Sequence, residues 1–442
     1  MWNYLIGAAL LIVLVSGCRG ISPNMHRSDI SSRNKANHDS GVLNSHGGHG
    51  DAKSPFKDMT SHHASQPTRV IDPKALPQLD AIIPRLAKKR VIFVGETHTR
   101  FADHINQLAI IRGLFERGKE LAVGMEFFQQ PFQGHLDDFV AGNIDETDLL
   151  TRTAYYENWR YDYRLYRPIL DFARERGIPL VALNVSSKIV EKVSREGWDA
   201  LLEDDTLTPE ERARIPETID RSNQDYEKRL HGIFQQHLSF GHSSKTTQRW
   251  KLPFGGKKGD DSQKRVKSFQ RFMEVQLLWD EGMAARIAEY IAQHPTRTIV
   301  VLAGSGHLAY GDGIPNRLKR RMPVDTAIVL PAGSVDPDME VADFLLVSEE
   351  TRLPRQGMLG LELEIHPEGM RVASLPRESA AGAAGIKADD RIRFIGNRPI
   401  KGMADVRLAL GNKRPGDRVS LEVYRTNWLW GGENLRFEVE LR

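Results

Sequence analysis

Four short apolar runs, each closing on polar residues, constrain this chain more than any other feature. Val91-Ile92-Phe93-Val94 runs into Gly95-Glu96-Thr97-His98, and Leu121-Ala122-Val123-Gly124-Met125 ends at Glu126. Leu180-Val181-Ala182-Leu183 ends at Asn184, and Ile299-Val300-Val301-Leu302-Ala303 runs into Gly304-Ser305-Gly306-His307. Short apolar runs bounded by Gly and polar residues are the pattern of strands buried on both faces. A further strand is expected at Thr326–Leu330, and helical stretches lie between, at Asp103–Arg117, Asp162–Arg176 and Val266–Gln293. Strands alternating with helices predict an α/β fold, a mostly parallel sheet with helices on both faces. In such sheets ligands gather beyond the carboxyl ends of the strands.

The runs therefore deliver Glu96, His98, Glu126, Asn184 and His307 to one edge of the sheet. His98, Glu126 and His307 suit ligation of a divalent metal, and with Glu96 they suit general acid–base catalysis in a hydrolase. Taken singly, each is more often a strand-end cap or a satisfied buried polar group; together at one edge they point to a site. On the long helix, Phe269, Phe272, Met273, Met283, Ala284 and Ile287 form an apolar stripe, with Gln276 and Asp280 inside it. A buried carboxylate needs a partner. Asp280 is thus expected either in a structural hydrogen bond, for instance with Arg286, or orienting one of the histidines.

A third region, 232–265, reads as a long loop or insertion. Tyr226 and His231, with His237 and His242, lie among Phe234, Phe240 and Trp250. Haem needs an axial Tyr, His, Met or Cys ligand and an apolar surround, while histidines in a polar loop are otherwise simply exposed. The aromatic run Tyr155–Tyr163 is expected to pack between a loop and the sheet edge, with pocket lining as the alternative.

The two ends differ from this pattern. The apolar run Leu5–Val15 is too short to span a bilayer and reads as a signal-peptide core. Cys18 is the only cysteine, so internal disulfides are excluded. Residues 18–67 are rich in Ser, Asn, Asp, Gly and His and read as a flexible tether, whose histidines either bind metal weakly or are incidental. At the other end, short alternating runs such as Arg391–Asn397 and Arg418–Val423 predict a small, mainly β domain over 355–442. A net charge of +3 gives no indication of nucleic-acid binding.

Several of these stretches resemble known families. Leu14-Val15-Ser16-Gly17-Cys18 resembles the bacterial lipobox, which implies cleavage after residue 17 and lipidation of Cys18. Arg19 lacks the acidic character associated with inner-membrane retention, which implies an outer-membrane anchor facing the periplasm. Val94–His98, Met125–Phe128, Tyr166-Arg167-Pro168, Ala182–Asn184, Gln276–Asp280 and Leu302–Gly311 resemble, in order and spacing, the ChaN-like haem-binding lipoproteins of the Tiki/ChaN/erythromycin-esterase superfamily. The resemblance implies an α/β domain over 68–350 that carries haem between paired subunits on a tyrosine, here Tyr226, for iron acquisition. Alternatively it implies metal-dependent proteolysis or esterolysis by the two Gly-x-x-His elements, at His98 and His307, with Glu126. Met358-Leu359-Gly360-Leu361 and Ala384–Ile392 resemble a PDZ domain of the bacterial periplasmic-protease type. There Leu359, Gly360 and Leu361 would capture a peptide carboxylate while the peptide adds as a strand. A third possibility is a PDZ adaptor whose α/β domain only senses a ligand.

Overall fold

A computed structural model describes residues 71–442 except 160, 241–260, 337, 368 and 428–430. The α/β part contains β1 (Val91–Glu96), α1 (Phe101–Phe115), β2 (Leu121–Gln129), α2 (Arg167–Glu175), β3 (Leu180–Asn184), α3 (Ser187–Glu196), α4 (Gln224–Phe240), α5 (Asp261–Gln293), β4 (Thr298–Gly304), α6 (Ile314–Arg321), β5 (Thr326–Pro331) and β6 (Phe344–Leu346). The strands form one parallel sheet in the order β3-β2-β4-β1-β5-β6.

Both faces of the sheet are covered, which is why its strands read as unbroken apolar runs. Successive side chains alternate between the faces. Ile92, Val94, Val123, Met125, Val300 and Leu302 pack against α1 and α2. Val91, Phe93, Ala122, Val181, Ile299 and Val301 pack against α5 and α6. The apolar stripe of α5 is shared between two cores: Met283, Ala284 and Ile287 lie on the sheet, while Met273 packs with residues of α3 and α4. The helix also begins earlier than its apolar pattern does, at Asp261.

β1 and β4 are neighbours in the sheet, and Glu96 pairs in register with Gly304. The chain leaves β1 towards β2 on one side and leaves β4 towards β5 on the other. Their carboxyl ends therefore flank the crevice where doubly wound sheets bind ligands. Strand β2 continues past Glu126 to Gln129 because its register against β3 slips between Met125 and Gln129. Glu126 thus sits within an irregularity of the strand, not at its end.

The C-terminal part is an antiparallel sheet of β7 (Glu362–His366), β8 (Gly369–Ser374), β9 (Arg391–Ile395), β10 (Arg398–Pro399), β11 (Arg418–Asn427) and β12 (Gly431–Glu440). Helices α7 (Ala380–Ala383) and α8 (Met403–Leu410) accompany it. The order is β12-β11-β9-β8-β7, with β10 on β9, so β7 has one free edge. Met370, Val372, Ile392, Leu421, Val423 and Val439 form its core. Trp428, Leu429 and Trp430 lie outside the described residues, as do Cys18 and the tether histidines.

Candidate functional site

At the carboxyl edge of the sheet two histidines each hold a carboxylate on one ring nitrogen. His98 Nδ1 lies 2.7 Å from Glu96 Oε1, and His307 Nδ1 lies 2.7 Å from Asp280 Oδ1. Both rings are buried. A carboxylate on Nδ1 selects the tautomer that leaves Nε2 for the site. The carboxylate expected in the middle of α5 therefore orients a histidine; Arg286 pairs instead with Glu289.

Glu96 is the most heavily supported group. Oε1 also accepts from the Tyr166 hydroxyl at 2.9 Å, and Oε2 accepts from Gln107 Nε2 at 2.8 Å. His104 Nδ1 lies 3.4 Å from Oε2, and His104 Nε2 donates to the His98 carbonyl at 3.2 Å. Burial by itself would raise the Glu96 carboxyl. His104 and His98 outweigh it by charge and hydrogen bonding and hold Glu96 well below the usual carboxylate range. In return Glu96 raises His104 against its own burial. The inward face of α1 thus supplies Asp103, His104 and Gln107, all buried. Asp103 fixes the loop by accepting from Thr97 N at 2.9 Å.

Glu126 faces the histidines from β2. Oε2 accepts from Gly304 N at 2.6 Å, and Oε1 lies 3.6 Å from His307 Nε2. A Cβ on Gly304 would fall 3.2 Å from His98 Nε2, 3.1 Å from His98 Cε1 and 3.6 Å from Glu126 Oε2. Glycine at 304 therefore lets the His98 ring, with Glu126 beside it, approach the β4 backbone more closely than a Cβ would allow. His307 Nε2 is buried beside Glu126 without a hydrogen-bond partner. Buried polar atoms are rarely left without a partner, which marks His307 Nε2 as a candidate functional atom. Asn184 steadies Glu126, donating to its carbonyl at 3.0 Å, and Gln276 is buried on α5 without a bond to either histidine.

Of the expected ligand sets, the divalent metal does not fit. Among the described residues no three His, Cys, Asp or Glu side chains are grouped as a metal requires.

Tyr226 does not stand free as a haem ligand either. Its hydroxyl donates to Asp280 Oδ2 at 2.6 Å, and the residue is 2% exposed. Burial first, then the Asp280 charge, pushes this phenol well above its ordinary value, which opposes the phenolate an iron would need. Arg317, also buried, lies 5.4 Å over the Tyr226 ring with Nη1 4.0 Å from Asp280. His231 behaves differently. It is exposed on α4, edge-on to Phe269 at 4.9 Å, and Phe269 lies 5.6 Å from Phe234. An accessible imidazole among aromatic rings fits an iron porphyrin. His242 and Trp250 lie outside the described residues.

The aromatic run packs, as expected, and it packs onto the site. Trp159 meets His98 edge-on at 4.8 Å, and Tyr161 lies 4.9 Å from the same ring. Trp159 Nε1 donates to Tyr166 OH at 3.1 Å, which ties the run to Glu96. In the C-terminal part, Leu359 is buried and Gly360 adopts φ +64. A Cβ at Gly360 would lie 3.1 Å from the Ser379 backbone, so the loop needs glycine for both conformation and space.

Sequence reasoning missed His104, Gln107, Tyr166 and Arg317 as parts of these networks. The signal for the first two was present: Asp103, His104 and Gln107 share the otherwise apolar face of α1.

Comparisons agree with this architecture. Residues 82–318, more than half of the chain, match the family model described as haem-binding uptake, Tiki superfamily, ChaN. Residues 357–441 match the PDZ domain model. Among solved structures, one described as cofacial heme binding to ChaN of Campylobacter jejuni is 18% identical and covers 61% of this chain and 91% of that one, with a TM-score of 0.45. An erythromycin esterase, EreC, in its open conformation is 13% identical and covers 57% of this chain and 72% of that one, with a TM-score of 0.31. A curated relative, Protein RETICULATA-RELATED 5, chloroplastic, of Arabidopsis thaliana, is 24% identical over 324 residues. That match takes in 67% of this chain but only 40% of the relative's length. The family-model match over residues 82–318 shows that the chain belongs to the ChaN family of the Tiki superfamily, described as haem-binding, and a PDZ domain follows it over 357–441.

Proposed function

We propose that this chain is a haem-handling protein of a bacterial envelope, anchored by a lipid on Cys18 and probing partners through its PDZ domain. The observation that carries the reading is His231, an exposed imidazole set among Phe269 and Phe234 on a domain of a haem-binding family. An iron porphyrin would take His231 as an axial ligand and rest its apolar face on those rings. A second copy of the chain would complete the far side of the porphyrin. The lipobox-like segment Leu14–Cys18 supports membrane attachment, and Arg19 supports an outer-membrane address facing the periplasm. In that setting the role is haem or iron uptake, with Leu359–Leu361 recruiting a protein by its C-terminal peptide. The test is a haem titration of the purified protein followed in the Soret region. A saturable band that weakens in His231→Ala supports the proposal, and an identical titration curve for that variant removes His231 as the ligand.

A second reading, hydrolysis, is favoured by one observation: His307 Nε2 lies buried and unpartnered beside Glu126, and Glu126 Oε2 and the His98 ring both flank Gly304. His98, steadied by Glu96, would act as the base, and His307, steadied by Asp280, as the acid. Turnover of p-nitrophenyl acetate that disappears in both His98→Ala and Glu126→Gln would support it. Equal rates for wild type and the two variants would remove it.

A further inference from the structure

Helix α8 of the PDZ domain is 8 residues long and serves two cores. Val406 and Leu410, one turn apart, are buried in the core of the PDZ domain. Ala404 and Leu408 sit two positions away, roughly 200° around a helix, and pack instead against the α/β core that contains Tyr155 and Tyr156. Beside them the Arg407 guanidinium lies 5.5 Å over the Tyr156 ring. A helix this short is marginal in water by itself, and its order comes from what it packs on. For α8 one of the two supports is the α/β domain.

The chain entering the PDZ domain is fixed to the same α/β core. Phe344, Leu346 and Leu353 are partly buried against it. Ser348 accepts from Arg100 Nη2 at its carbonyl and from Asn106 Nδ2 at its hydroxyl, at 3.2 and 2.6 Å. The Pro354 carbonyl accepts from Arg164 Nη1 at 2.9 Å. Domains on flexible linkers move relative to one another by default. Here only Arg355 separates the Pro354 anchor from Gln356, which already belongs to the bonding of α8.

These ties lead to the Leu359–Leu361 loop. Gln356 Nε2 donates to the Leu410 carbonyl and Gly357 N to the Lys413 carbonyl, both at 2.9 Å, so the carboxyl end of α8 is fastened to the segment that carries the loop. Leu359 shares the PDZ core with Val406 and Leu410, and its carbonyl accepts from Ala381 N at 2.9 Å. Directly after the loop, β7 keeps a free edge whose backbone groups can pair with an added strand, and its Ile365 is exposed.

We infer that the α/β domain is part of the peptide site: it holds α8, and α8 with Gln356 and Gly357 holds the Leu359–Leu361 loop in its capturing form. The inference rests on the peptide reading given above and adds the α/β domain to the groups that position the loop. The partner it fits is an extended segment with a free terminal carboxylate, paired along β7. Tyr156 and Arg164 are positioning residues, acting through α8 and through the Pro354 carbonyl. Such support raises affinity because the loop is ordered before the peptide arrives.

The test uses the full chain with Tyr156→Leu and, separately, Arg164→Ala, both of which leave the PDZ sequence unaltered. Hydrogen exchange is read at 357–361 and 403–410, with β1 and β4 reporting on the α/β fold and β9 and β11 on the PDZ fold. Binding is read from the anisotropy of a fluorescein-labelled pentapeptide ending in valine, with a free or an amidated terminus. In Tyr156→Leu, exchange at 357–361 and 403–410 should quicken about tenfold and the free-carboxylate peptide should bind about tenfold more weakly, since local opening sets both. Arg164→Ala should shift both in the same direction, and the four reporting strands should stay as in wild type. Protection at 357–361 and 403–410 unchanged in both variants would overturn the inference. So would faster exchange there with peptide affinity unaltered. No preference of the wild type for the free over the amidated peptide is a separate failure: it overturns the carboxylate reading of the loop, and the inference with it, whatever the exchange shows.

Discussion

His307 Nδ1 stands 2.7 Å from Asp280 Oδ1, and that hydrogen bond links the loop after β4 to the middle of α5. Burial would by itself push the imidazole down, but the charges of Asp280 and Glu126 outweigh it and raise His307 to about 9. The folded value lies above the ordinary 6.5 of the free side chain. The stabilisation is therefore complete below that pH and is lost as pH rises through about 9.

The first prediction follows from that sign. Urea unfolding should show stability falling by roughly 3 kcal/mol between neutral pH and the alkaline side of the His307 titration. Glu96 acts in the opposite sense: its stabilisation is present above the ordinary carboxylate value and declines as pH falls below it. Asp280→Asn should flatten the alkaline limb and leave the acid limb in place. An alkaline limb unchanged in that variant would show that another group sets it.

Tyr226 and His231 should separate cleanly. Tyr226→Phe removes the donor to a buried carboxylate and should cost about 1–3 kcal/mol of stability. It should leave the Soret titration as in wild type. His231→Ala, on an exposed position of α4, should change stability by no more than about 0.5 kcal/mol and weaken haem binding. Loss of the Soret band in Tyr226→Phe would return that residue to the haem site.

Gly304→Ala probes the close packing of His98 and Glu126 on β4. The added methyl would lie 3.1–3.2 Å from the His98 ring, close enough that the ring must yield by a few tenths of an ångström. Gly304 has φ −56, which alanine adopts without strain. The variant should stay within about 1–3 kcal/mol of wild type, as for overpacking of a well-filled interior. Any turnover of p-nitrophenyl acetate should fall, since the methyl pushes the His98 ring out of place. Haem binding at His231 should be untouched, so this one substitution distinguishes the two readings.

Arg425→Ala tests what holds the PDZ domain together. Arg425 donates to both oxygens of Asp390 at 2.7 Å, and Asp390 is 1% exposed. Asp390 also accepts from Lys387 N, which closes the turn before β9. Leaving that buried carboxylate unpaired should cost about 3–5 kcal/mol. In calorimetry the loss should fall on the transition that carries β8, β9 and β11.

Much of the α/β fold was legible because its signals are local. A strand buried on both faces must be apolar along its length, and Val91–Val94, Leu180–Leu183 and Ile299–Ala303 obey that rule. The end of β2 was not legible. Phe127 and Phe128 continue the buried pattern past Glu126, and only the pairing with β3 shows where the register slips. The apolar stripe of α5 was seen correctly as a face, but a face has no information about how many cores it serves.

By itself, the sequence determined which residues reach the crevice and that Asp280 needs a partner, because periodicity fixes the face of an element and burial forbids an unpaired charge. Which partner each group takes was decided by tertiary structure alone. Glu96 serves His98 and His104 together, Asp280 serves His307 and Tyr226, and Arg407 of the PDZ domain rests on Tyr156. Hydrogen bonds and ring contacts depend on ångström-scale distance and direction. Those are set when helices and sheet pack together, and no spacing along the chain encodes them.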